Sequence, residues 1–136
     1  MTLKPTATPR QHSRRRGDSL VEFALIVPVL VLIVMAVFDF GRAVYAYSVV
    51  ANSAREGARF GIISTATPND IITVVQNSAV GLDPAQLAVS VTYPTTDTVR
   101  VVVSYTLELT TPLVAEVVSA DGSVVLGSSA TMYTGY

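Results

Sequence analysis

The chain has 136 residues and no cysteine, is 50% hydrophobic and 14% charged, and carries a formal net charge of -1. That length holds one small domain plus one membrane segment, and the composition excludes a disulfide framework and a Cys-based metal site and is oily for a free soluble domain. The charge is uneven: Lys4, Arg10, Arg14, Arg15 and Arg16 precede Gly17, while Arg42, Arg55, Arg59, Arg100 and every acid follow it, so the part beyond Gly17 is acidic and unsuited to a nucleic-acid partner.

Residues 1–17 read as a basic, disordered leader. Pro5, Pro9 and several threonines offer nothing that could build a core. Arg14, Arg15 and Arg16 alone would be a solvated tail. Next to an apolar block they become a topology signal, because Lys and Arg flanking a membrane segment stay in the cytoplasm. His12, the chain's single histidine, has no partner of suitable type nearby for catalysis or ligation.

The apolar block follows. Phe23 to Phe38 is uncharged and would be ~24 Å long as a helix, a little short of a ~30 Å hydrocarbon core. Leu20 and Val21 extend it on one side, and Phe40 and Ala43 to Ala46 on the other. Arg42 can snorkel outward, and Tyr45 and Tyr47 suit the membrane–water interface. The expectation is one spanning segment at about residues 20–40. A cleaved secretory signal competes with it, but the run is long for one, Glu22 sits at its entrance, and no small-x-small cleavage site follows. Pro28 is tolerated in lipid and predicts a bend, not an end.

Beyond the block, Phe40, Ala43, Val44, Tyr47, Ala51, Ala54 and Ala58 recur at steps of three and four. Asp39, Arg42, Asn52, Arg55, Glu56 and Arg59 are assigned to the other face. No turn cluster intervenes, so residues 18–62 read as one helix, on the order of 65 Å long. Asp39 with Arg42, and Glu56 with Arg59, stand at i,i+3. Each is either a surface pair or a contact between subunits. Gly57 and Gly61 form a small-xxx-small pair outside lipid, and Gly61 suits a helix end.

Residues 63–136 read as a small α+β domain. Thr67-Pro68-Asn69-Asp70 is a helix start, Ile71, Ile72, Val75, Ala79 and Leu82 keep helical spacing, and Gly81 marks the end. Leu87, Val89, Val91 and Tyr93 alternate with polar or small residues. So do Val99, Val101, Val103, Tyr105, Leu107 and Leu109, and Pro94 to Asp97 is the turn of an antiparallel hairpin. Leu113 to Ser119 favours a short helix. Asp121-Gly122 is a turn, and Ser123 to Thr134 is a third strand weakened by Gly127, Ser128 and Ser129. Three strands have little core of their own and need a lid. The fold class that results is α+β and pilin-like: a long N-terminal helix, inner half transmembrane and outer half amphipathic, packed on a small antiparallel three-stranded sheet.

A specific resemblance joins this architecture. Arg16-Gly17, Val21-Glu22-Phe23-Ala24-Leu25, Pro28, Asp39-Phe40-Gly41-Arg42 and Ala54-Arg55-Glu56-Gly57-Ala58-Arg59, in that order, resemble the TadE-like family of tight-adherence (Flp) pilus assembly proteins. The family motif positions are Phe23, Pro28, Asp39, Gly41, Arg42, Arg55, Glu56, Gly57 and Arg59. The resemblance implies a pseudopilin similar to type IV prepilins, with a basic leader, a glycine, and a glutamate five residues into the mature chain. A prepilin peptidase would cut between Gly17 and Asp18 from the cytoplasmic side. Position 18 is Asp, where major prepilins prefer an apolar residue.

The resemblance further implies a minor pilin or pseudopilin in assembly of a Flp-type pilus or related secretion system, and not an enzyme. No Gly-rich phosphate loop and no His/acid metal cluster appears in the sequence, so neither a cofactor nor a metal is expected. The partners would be other pilin or pseudopilin subunits, the prepilin peptidase, the inner-membrane assembly platform and the lipid bilayer. The chain would cross the bacterial inner membrane once, N-terminus inside and C-terminal domain outside, and could enter an extracellular pilus. In that setting Glu22 could neutralise the new α-amino group of a neighbouring subunit. The plainer physical reading keeps Glu22 in the headgroups, as a first-turn acid favoured by the helix dipole. The alternative function is an uncleaved single-pass anchor presenting a small binding domain outside.

Overall fold

The structure, a computed structural model, describes residues 14–63, 65–111 and 121–135. A long apolar N-terminal helix, α1 (Arg14–Gly61), is followed by α2 (Pro68–Ser78), a 3-10 turn at Pro84–Gln86, and strands β1 (Leu87–Thr95), β2 (Thr98–Glu108) and β3 (Ser123–Tyr133). The three strands form one antiparallel sheet in the order β1-β2-β3. The chain divides into two compact units, Met1–Val34 and Met35–Tyr136.

α1 starts at Arg14, so the end of the expected disordered leader, Arg14 to Gly17, is helical. Arginine is a good helix former, and one glycine costs only about 1 kcal/mol against alanine, too little to stop a helix this apolar. Pro28 lies inside α1 and does not end it. The proposed short helix from Leu113 to Ser119 lies outside the described residues.

The second unit is built around β2. Its alternation is strict: Val99, Val101, Val103, Tyr105 and Leu107 are buried on one face, while Arg100 and Glu108 are exposed on the other. The buried face meets Ala46, Val50, Ala54 and Ala58 of α1 and Ile71 and Val75 of α2. Full burial of each valine or isoleucine is worth roughly 1.5–3 kcal/mol, so β2 and its two helical covers carry the unit.

The phase of α1 differs from the sequence expectation. Phe40, Val44 and Tyr47, assigned to the buried stripe, are exposed, whereas Asp39, assigned to the outer face, is buried. Ala51, Ala54 and Ala58 of the expected stripe are buried, and beside Val50 the contact otherwise uses small residues, Ala46, Ser53, Gly57 and Gly61, which let the helix approach closely.

Gly57 and Gly61 belong to this close approach. A Cβ at Gly57 would collide with Val75 Cγ2 and come within 3.4 Å of Val101 Cγ1. One at Gly61 would meet Ile71 Cδ1 and Val99 Cγ2 at 3.0 Å. Gly41, by contrast, faces open space. We therefore expect Gly57→Leu to destabilise the unit by about 2–3 kcal/mol through overpacking, and Gly41→Ala to be neutral or stabilising by up to about 1 kcal/mol. Thermal melts followed by circular dichroism on the detergent-solubilised chain measure both. Equal midpoints for the two variants would remove the close-packing role of Gly57.

α2 begins as the sequence indicates. The Thr67 backbone N–H donates to Asp70 Oδ2 at 3.0 Å, and the Asp70 N–H donates back to Thr67 Oγ1 at 3.3 Å, a reciprocal capping box. The Thr67 side-chain hydroxyl first, then its backbone N–H, hold the Asp70 carboxyl below its ordinary value, against a smaller opposing effect of desolvation. A depressed folded-state value gives stability that is fully present above the unfolded value, about 3.9, and is lost as pH falls through the folded value. The difference in melting temperature between wild type and Asp70→Asn should therefore be constant from pH 7 to about pH 5 and shrink below about pH 4. A difference that persists unchanged to lower pH would contradict this account of the cap.

In the sheet, β1 runs past Pro94 to Thr95, and the turn is the tighter Thr96-Asp97. The register shifts between Thr92 and Thr95, an irregularity that accommodates a proline unable to donate to the ladder. β3 pairs with β2 without a break from Ser123 to Tyr133, so Gly127, Ser128 and Ser129 do not interrupt it.

Candidate functional site

The sequence-predicted positions fall in two places. Gly17, Asp18, Glu22, Phe23 and Pro28 lie on the part of α1 within the first unit, and all are exposed. Around them the helix presents large apolar side chains outward: Leu20, Val21, Leu25, Ile26, Val29 and Leu30 are each more than half exposed. α1 contains an 18-residue window of mean hydropathy 2.9, none of it buried, and is long and apolar enough to cross a membrane. This is consistent with a membrane anchor. A helix apolar all round needs an apolar surrounding, and among the described residues this window has no buried position.

Glu22 is the one acid placed among these side chains after Asp18 and before Asp39. Because α1 begins at Arg14, Glu22 is not in its first turn, so the dipole explanation for its position does not hold in the uncut chain. The ion pairs among the described residues lie further along, at Arg42–Asp39 and Arg59–Glu56. The backbone of Gly17 is helical and has open space beside it.

The second place is a polar cluster within the larger unit. Asp39 is only 4% exposed. Its carboxylate accepts the backbone N–H of Thr111 at 2.9 Å and that of Thr110 at 3.3 Å. Arg42 Nη1 lies 3.5 Å from Asp39 Oδ1 and donates to Thr110 Oγ1 at 2.8 Å. The i,i+3 pair read from the sequence is thus one side of a junction that ties α1 to the chain leaving β2. The carboxylate satisfies two backbone donors that have no ladder partner there, and Arg42 stays half in solvent. No site role was assigned to Thr110 or Thr111 from the sequence. Their one signal is position, directly after a strand and before Pro112, where backbone donors need an acceptor from elsewhere.

The remaining motif residues have separate settings. Arg55 donates to Asn52 Oδ1 at 3.1 Å, and Arg59 pairs with Glu56 at 3.1 Å; both pairs are exposed and local to the helix. Gly57 is the close-packing position described above. Among the described residues no group of three or more His, Cys, Asp or Glu could hold a metal ion.

Residues 17–59 match the TadE-like protein family. No curated protein and no solved structure matches the chain. The matched region contains both places: the exposed apolar helix with Glu22, and the Asp39–Arg42 and Arg55–Arg59 segments. The chain carries a TadE-like family domain at residues 17–59, and the family, typically non-enzymatic pilus proteins, implies a role in Tad pilus assembly.

Proposed function

We propose that the chain is a minor pilin or pseudopilin of a Flp-type (tight-adherence) pilus or a related secretion system. The observation that carries the reading is the family match over a helix whose stretch from Leu20 to Phe38 has no buried residue and holds one carboxylate, Glu22. Arg14, Arg15 and Arg16 hold the leader in the cytoplasm, α1 crosses the inner membrane once, and the α+β unit stands outside. A prepilin peptidase cuts between Gly17 and Asp18, and the freed α-amine of one subunit meets Glu22 of its neighbour. Two charges at the edge of lipid are costly singly and cheaper as a pair. The partners are other pilin or pseudopilin subunits, the peptidase and the inner-membrane assembly platform.

The test is co-isolation. An epitope-tagged chain expressed with the tight-adherence machinery should co-isolate with pilus subunits from the membrane fraction or from sheared pili. Recovery solely as a free membrane monomer would overturn the reading.

One observation favours a second reading, the uncleaved single-pass anchor presenting a small binding domain. The Gly17–Asp18 bond lies inside α1, so its backbone must be unwound before a peptidase can reach it.

A further inference from the structure

Both edges of the sheet are free of charge. β1 (Leu87–Thr95) and β3 (Ser123–Tyr133) contain no Asp, Glu, Lys or Arg, and the sheet's charged residues, Arg100 and Glu108, both lie on the central strand β2. This inverts the usual arrangement, in which edge strands carry the charges that prevent strand addition. β3 is also long and unbroken, with no proline and no register shift against β2. On its core-facing side Leu126, Ala130 and Met132 are only partly buried. β1 is regular from Leu87 to Thr92 and irregular only beyond, near Pro94.

Direction then selects the occupant. β1 and β3 are each antiparallel to β2, so they run parallel to one another. The outer part of α1 runs the same way: Asp39 bonds to Thr110 and Thr111 just past the end of β2, and Gly61 sits against Val99 at its beginning. Pairing β3 with the β3 of a second copy would either run antiparallel and reverse that copy's α1, or run parallel and put its α1 on the opposite face of the joined sheet. Pairing β3 of one copy with β1 of the next is parallel and keeps every α1 pointing the same way, as subunits sharing one membrane or one fibre axis require. It is also a heterologous contact that leaves a free edge at each end and so can propagate.

We propose that β3 of one copy adds to β1 of the next copy, joining their sheets edge to edge. The inference rests on the pilus-assembly reading for its common orientation. The outer faces of the two strands supply the positions for a test. Ser90, Val102 and Ser129 form one row across the sheet, and Ser90 and Ser129 are exposed.

The chain has no cysteine, so introduced thiols are unique. Full-length chains carrying Ser129→Cys would be co-expressed in cells making the pilus machinery with chains carrying Ala88→Cys, Ser90→Cys or Thr92→Cys, then treated with an oxidant and with a short bis-maleimide. The expected result is a crosslinked dimer in at least one of the three mixtures and a ladder of higher species when both cysteines are in one chain. Ser129→Cys alone should stay monomeric. No crosslink in any mixture would overturn the proposal, including the case where the chain's own segment 112–120 covers the β3 edge. Self-crosslinking of Ser129→Cys would also overturn it, because it reports β3 against β3. Absent crosslinks with the chain still recovered among pilus subunits would sink the edge pairing alone. A ladder in chains that never co-isolate with pilus subunits would support the edge pairing and sink the pilus reading.

Discussion

Asp39→Ala is expected to destabilise the larger unit by about 2–3 kcal/mol, because it leaves the buried N–H of Thr111 and the part-buried N–H of Thr110 without an acceptor, and a buried donor left unsatisfied costs roughly 1–3 kcal/mol. The donors are the N–H groups of Thr110 and Thr111, and the carboxylate that takes them is 4% exposed, so water cannot readily replace it. A unit of this size has only about 5–15 kcal/mol in total, so the loss is a large fraction. Asp39→Asn should fall between: its amide oxygen accepts one N–H, while its NH₂ faces the other donor. Glu56→Ala is the control. Glu56 also pairs with an arginine three residues on, but both side chains are exposed, and such pairs are worth about 0.3–0.5 kcal/mol. Urea unfolding of the detergent-solubilised chain ranks the three. Asp39→Ala no worse than Glu56→Ala would mean that the junction contributes nothing beyond a surface pair.

Glu22→Leu is expected to have the largest functional effect and almost no effect on folding. Glu22 is exposed and belongs to the unit ending at Val34, whereas the sheet and its helical covers belong to the other. Leucine is an equally good helix former and suits lipid better, so insertion and the melting of the outer unit should be unchanged. Incorporation into pili, in contrast, should fall at least about tenfold, since losing one partner of a desolvated interfacial charge pair costs 2 kcal/mol or more and each 1.4 kcal/mol is tenfold. Glu22→Asp should recover part of it, as the charge remains on a shorter arm. The readout is the ratio of tagged chain in sheared pili to tagged chain in membranes. An unchanged ratio for Glu22→Leu would refute the role given to this carboxylate while leaving membership of the assembly open to other contacts.

Much of the fold is legible in the residues because two periods are strong. Val99, Val101, Val103, Tyr105 and Leu107 alternate cleanly, and the Thr67–Asp70 cap with Pro68 marks α2 at a single residue. The phase of α1 was legible at Ala51, Ala54 and Ala58, which are buried, and not at the start of the stripe. Hydrophobicity favours Phe40, Val44 and Tyr47 as part of the buried stripe, yet apart from Val50 the buried stripe is made of alanine, serine and glycine, because the helix lies close against β2 and α2. A large apolar residue signals burial only where there is room for it, and close approach reverses the rule. The same error of phase put Asp39 outside. An aspartate between Phe38 and Phe40 is a hint that it serves buried donors, but its partners Thr110 and Thr111 are remote in sequence and nothing local names them. At the N-terminal end the limit is different. Gly17, Asp18 and Glu22 are exposed, so burial gives them no setting to read, and the roles proposed for them depend on partners outside the fold.

On the proposed reading the leader is removed and the mature subunit presents a new amine at Asp18. Intact mass and N-terminal sequencing of the chain, purified from cells with and without the prepilin peptidase, test it most directly. The expected result is a mature chain beginning at Asp18 when the peptidase is present and the full leader when it is absent; an intact leader in both would contradict the account and favour the uncleaved anchor.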